Sequence, residues 1–159
     1  MEKKYSVGIA DMKILRGEGI LITYALGSCI GISLYDPVIK LGALVHIMLP
    51  KRQSSLESNI FKFADTGLED ALRKMTAYGA VKSRLACKIA GGATMFKTSG
   101  GSLGNIGQRN IESVKNIMRV NGIFIKAEDT GGNYARTMLL DVSTGNVVIR
   151  TFGRAELVL

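Results

Sequence analysis

The chain has 159 residues, 47% hydrophobic and 21% charged, with 21 Lys plus Arg and a formal net charge of +8. That length and composition predict one domain, residues 1–159, with a proper core, and exclude a disordered chain. The basic residues are scattered, without a run or an interleaved aromatic, so the charge reads as a solvated surface suited to an acidic protein partner, not to nucleic acid.

Short runs rich in Ile, Leu and Val at 19–25, 30–36 and 41–49 are separated by glycine or by Asp36-Pro37, which predicts three strands joined by turns. "KRQSSLESN" is a polar loop. Phe61, Ala64, Leu68, Ala71, Leu72 and Met75 then recur at three- and four-residue steps, the pattern of an amphipathic helix, closed by Gly79. "SRLACKIA" reads as a strand running into Gly91-Gly92. A second helix is predicted over Ile106, Asn110 or Ile111, Val114, Ile117 and Met118, stopped by Asn121-Gly122. "IFIKAED" and "RTMLLDV" read as strands, the turn "STGN" leads to "VVIRTF", and "AELVL" supplies a short last strand. Strands first, with helices between later strands, predict α+β in place of regular βαβ winding.

No apolar stretch approaches the ~18 residues of a membrane span, and the N-terminus has no apolar segment after its lysines. The expectation is a cytoplasmic protein without direct membrane insertion, whose two cysteines are free thiols. Two cysteines, one histidine and no tight acidic cluster give no metal-site spacing, and no cofactor is called for.

The chemistry concentrates in "LGSC", residues 26–29, between two apolar runs. A nucleophilic thiol needs access, a base within hydrogen-bond reach and a group that orients the base. Cys29 follows Gly27 and Ser28 in a turn whose backbone N–H groups can receive a developing oxyanion. The single histidine, His46, lies in the next strand but one, and strands adjacent in sequence tend to pair. Thr23 is a polar residue in the apolar strand before the cysteine, and its hydroxyl can hold the imidazole tautomer. Spacing alone leaves the alternative open: a small buried thiol, a core histidine and an ordinary strand threonine. Cys87, inside "LACKIA" with no turn or partner, reads as structural.

The chain resembles the CheD family, the chemoreceptor glutamine deamidases of bacterial and archaeal chemotaxis. The resemblance is carried in order by "LGSC", "HIMLP", "FADTGL", "KIAGGATMF", "NIGQRN", "EDTGGNYAR" and "STGNVVIR". Ala135 before Arg136 departs from the more usual Gly-Arg. The resemblance implies a layered α/β/β sandwich like the catalytic domains of bacterial toxin deamidases, and a Cys-His-Thr set on Cys29, His46 and Thr23. It implies chemoreceptor cytoplasmic domains as protein substrate and a CheC-type phosphatase as partner. On this reading the Cys29 thiolate attacks a glutamine carboxamide, ammonia leaves with a proton from His46, and water hydrolyses the thioester to glutamate.

The glycine-rich segments lack a GxGxxG or GxxxxGK pattern, so they are not expected to cradle phosphate. Gly91-Gly92 and Gly131-Gly132 are expected either to bring backbone against the active-site turn, while Asn105, Arg109, Asn110, Asp129 and Thr130 hold neighbouring loops or meet substrate or partner, or to form tight turns and nothing more. Phe96 is a candidate apolar anchor for a protein partner or, equally, a core residue. Two other classes stay open: a transglutaminase-like or amidohydrolase cysteine enzyme, and a non-catalytic regulator of CheC or receptors.

Overall fold

The computed structural model describes residues 2–95 and 105–159. Five strands come before the first helix: β1 (Lys4–Ser6), β2 (Asp11–Arg16), β3 (Ile20–Leu26), β4 (Ile30–Asp36) and β5 (Leu41–Ile47). Then come α1 (Ala64–Ala77), β6 (Ala86–Gly91), α2 (Ile106–Val120), β7 (Ile125–Thr130), β8 (Arg136–Asp141), β9 (Val147–Arg150) and β10 (Leu157–Val158). One sheet has the order β2-β5-β4-β6-β7 and the other β1-β3-β8-β9-β10.

The first of these, the inner sheet, is covered on both faces. Every residue of β4 and β5 is buried, which is why both read as unbroken apolar runs instead of alternating ones. The period of two still sorts their side chains. Ile30, Ile32 and Leu34, with Ala43, Val45 and Ile47, pack against Leu68, Ala71 and Met75 of α1 and Ile111, Val114 and Met118 of α2. Tyr35 and Leu44 point the other way, into a second core shared with Leu21 and Leu26 of β3 and Met138 and Leu140 of β8. The architecture is therefore helices on sheet on sheet, the α+β sandwich expected.

Two features depart from the sequence reading. The strands β1 and β2 were not expected. β1 is three exposed residues, and β2 is an edge strand whose "DMKILR" is only half-buried, so neither carries a clean apolar period. The second concerns "LGSC". The strands it joins, β3 and β4, lie in different sheets, so this turn is the corner at which the chain crosses from one layer to the other. The corner begins with a break in the β3–β8 register between Thr23 and Leu26, where Ala25 takes a φ of +60°. Bulges bend a strand and re-aim the residues beyond them, and an L-residue at positive φ is a sparsely populated conformation kept where the surroundings enforce it.

Candidate active site

Cys29 ends the corner, one residue before β4. Strands β4 and β5 pair antiparallel with Gly31 opposite His46 and Ile30 opposite Ile47. Directly opposed residues share a face, and residues two apart on an extended chain share a face. Cys29, Gly31 and His46 therefore all face the space between the sheets, where Cys29 packs against the second core. Gly31 has no side chain to fill the gap: a Cβ there would lie 2.8 Å from the Met138 sulfur and 3.0 Å from Leu26.

Thr23 reaches the same space from the other sheet. Its Oγ1 lies 2.7 Å from His46 Nδ1 and donates to the carbonyl oxygen of Val7 over 2.8 Å. A threonine hydroxyl has one proton, and a carbonyl can only accept. The proton is committed to Val7, so the Thr23 oxygen accepts from Nδ1–H of His46. That fixes the neutral imidazole as the Nδ1–H tautomer and leaves a lone pair on Nε2. His46 is fully buried, and among the described residues Nε2 has no hydrogen-bond partner.

Burial sets the charge state of both groups. Desolvation lowers the pKa of His46 from 6.5 to about 4, because the charged form loses most when water is removed. Desolvation likewise raises the Cys29 thiol, against a smaller opposing pull from its own backbone N–H. Both shifts favour the neutral forms, thiol and imidazole, over a preformed ion pair. A base of this kind takes the thiol proton as the thiol attacks. Cys87 sits in the helix-side core, fully buried, with its thiol pushed up to about 12.

The corner itself is held by backbone on one side. Gly27 N–H donates to Ala25 O over 3.0 Å and Gly27 O accepts from Ala93 N over 2.8 Å. The Gly27 amide is thus engaged, whereas those of Ser28 and Cys29 have no backbone acceptor among the described residues. Gly91 and Gly92 lie against the cysteine: Gly92 N–H donates to Cys29 O over 2.9 Å. A Cβ on Gly91, whose φ is +111°, would fall 2.1 Å from that same oxygen.

The other expected residues separate into two groups. Asn110 meets the site, donating from Nδ2 to the carbonyls of Ser28 and Met48. Asp129 accepts from Nε of Arg136 over 2.9 Å, and Arg136 Nη1 reaches Gly91 O at 3.4 Å, so this pair touches the site through the glycine. Thr130 pairs in register with Gly91, and its hydroxyl donates to Glu128. Asn105 and Arg109 are exposed at the start of α2, and neither makes a side-chain hydrogen bond to Cys29 or His46. Phe96 lies outside the described residues. Sequence reasoning did not find Val7 or Arg136. Val7 acts through its main chain, which leaves no side-chain signal, and Arg136 reads as an ordinary strand-opening cation.

Among the described residues, a 520 Å³ groove between the helices, lined by Leu72 and Ile117, lies on the opposite face of the inner sheet. No group of three or more His, Cys, Asp or Glu among them is placed to hold a metal.

Fold and site together define a class: an α/β/β sandwich whose sheet-to-sheet corner carries a thiol on the interlayer face that also holds a buried, tautomer-locked imidazole. The chain belongs to the CheD family; the family model described as CheD chemotactic sensory transduction matches residues 48–151. Relatives named "Probable chemoreceptor glutamine deamidase CheD" extend the match over the cysteine corner. The one from Syntrophomonas wolfei is 52% identical over 158 residues, 98% of each chain. The Moorella thermoacetica protein is 50% identical, covering 96% of this chain and 93% of its own. The archaeal relative from Pyrococcus abyssi is 44% identical, covering 94% and 93%.

Proposed function

We propose that this protein is a protein-glutamine glutaminase that converts glutamine side chains of chemoreceptor cytoplasmic domains to glutamate, with Cys29 as nucleophile, His46 as base and Thr23 as the group that orients it. The observation that carries the chemistry is the Thr23–His46 contact with its proton committed to Val7, because it leaves a bare Nε2 lone pair on the face that Cys29 shares. The substrate class rests on the names of relatives that align along nearly the whole chain.

The steps balance with these groups alone. The Cys29 sulfur bonds to the carboxamide carbon as its proton passes to His46 Nε2, and the oxygen, now negative, is met by the amides of Ser28 and Cys29. The imidazolium gives its proton to the carboxamide nitrogen, the C–N bond breaks and ammonia leaves. A water then loses a proton to Nε2 while its oxygen bonds to the thioester carbon, and collapse expels the sulfur, which recovers the proton. Cytoplasmic location and association with a CheC-type phosphatase belong to the same proposal, on the family resemblance.

The test is incubation with a chemoreceptor cytoplasmic fragment, followed by ammonia assay and peptide mass mapping. Wild type and Cys87→Ala release ammonia and leave glutamate at mapped positions, whereas Cys29→Ala and His46→Ala do neither. Full activity in folded Cys29→Ala would sink the enzyme reading. Incorporation of an added primary amine in place of water would turn it toward transamidation.

A further inference from the structure

Asn110 approaches the site from behind. It belongs to α2, which packs on the helix-facing side of the inner sheet, while Cys29 and His46 face the opposite side. It is fully buried, and its Nδ2 donates two hydrogen bonds of 2.9 Å each. One goes to the carbonyl of Ser28, the residue before the cysteine. The other goes to the carbonyl of Met48, two residues beyond the histidine. Both acceptors are carbonyls, so only the nitrogen end of the amide can face them, and its two hydrogens are both used.

The place of this contact in the sheet gives it meaning. The β4–β5 ladder ends at Ile30 opposite Ile47. Past that pair the two chains diverge into the cysteine corner and the segment at Met48, Leu49 and Pro50, and among the described residues no backbone hydrogen bond joins them. Asn110 supplies the missing rung through a side chain. One helical turn on, Ser113 Oγ donates to Pro50 O over 2.9 Å, so α2 grips the histidine's segment at two points. The Asn110 Oδ1 is buried without a partner among the described residues, a cost that a side chain placed for packing would not carry.

We infer that Asn110 is a positioning residue whose amide sets the separation between the cysteine corner and the histidine strand, joining the two beyond the end of their ladder. This rests on the thiol–imidazole reading above, yet its readout is independent of the substrate. The measurement is the rate of Cys29 carboxymethylation by iodoacetamide across pH, followed by peptide mass, for wild type, His46→Ala, Asn110→Asp, Asn110→Leu and the double variant Asn110→Asp/His46→Ala. Leu keeps the approximate shape and donates nothing, and Asp can donate at most one hydrogen, so neither can hold both carbonyls.

Wild type should react faster than His46→Ala at neutral pH, on the order of tenfold, because Nε2 assists removal of the thiol proton. Asn110→Asp and Asn110→Leu should fall to the His46→Ala rate and pH profile while keeping a cooperative unfolding transition. The double variant should be no slower than His46→Ala alone, since a misplaced base and an absent one are equivalent. If either folded Asn110 variant reacted like wild type, or the two losses multiplied in the double variant, the positioning role would be overturned. Equal rates for wild type and His46→Ala would overturn the thiol–imidazole pairing itself, and this role with it, whereas loss of receptor deamidation alone would bear only on the substrate.

Discussion

The hydroxyl of Thr23 carries one proton, and the consequences of where it goes extend to pH behaviour. With that proton on Val7 O, Thr23 can only accept from His46, so a side chain of the same shape without an oxygen releases the imidazole. Thr23→Val should lower kcat about 10- to 100-fold with little change in KM, whereas Thr23→Ser, which keeps the oxygen, should retain most activity. The buried His46 adds a second prediction. Its pKa is lowered from 6.5 to about 4, so between those values the unfolded chain holds a proton that the folded chain lacks. Stability is then fully present above 6.5 and falls as pH drops toward about 4, by a total of about 3 kcal/mol. His46 is the single histidine, so the upper part of that window belongs to it, and His46→Gln should flatten the pH dependence of urea unfolding there. For the same reason the acid limb of kcat/KM should lie near about 4, not near 6.5.

At the scale of elements, the cysteine corner works because glycine lets two strands of one sheet close behind it. Gly91 combines a φ of +111° with a Cβ position 2.1 Å from Cys29 O, and a backbone atom cannot move aside as a side chain tip can. Gly91→Ala should destabilise the protein by about 2–4 kcal/mol and slow Cys29 alkylation in whatever remains folded, checked by thermal melting and mass-resolved labelling. Much of this was legible in the sequence. The period of three and four gave α1 and α2 near their true bounds, and "LGSC" with one histidine two strands away pointed to the pair that shares a face. The sheet assignment was not legible, because β3 and β4 are both short apolar strands and nothing in their side chains says that the turn between them changes layers. Asn110 reads in the sequence as a loop or partner contact. Its role depends on where the β4–β5 ladder stops, a property of the fold and not of the residue.

At the scale of the whole molecule, two polar bridges among the described residues span the interlayer core beside the corner: Thr23 to His46, and Arg136 to Asp129. Arg136 enters from β8, two residues from Met138 and so on the same inward face, and is fully buried, with its Nη2 unpartnered among the described residues. Its counter-charge comes from the other sheet, at the end of β7, over 2.9 Å. The Tyr134 ring covers the guanidinium, its centroid 4.3 Å away, and Arg154 lies 3.9 Å from the same centroid. Burying a charge is tolerable only when it is paired, so removing the carboxylate should cost more than removing the pair. Asp129→Asn should destabilise by about 2–4 kcal/mol, the lower part of the range for buried pairs because Asp129 keeps some solvent contact. Arg136→Met/Asp129→Asn should recover at least half of that loss in urea unfolding, since an apolar side chain of similar volume leaves no orphaned charge between the sheets. A double variant less stable than Asp129→Asn would show instead that the guanidinium stabilises the corner through Gly91 O and Tyr134 more than through its carboxylate.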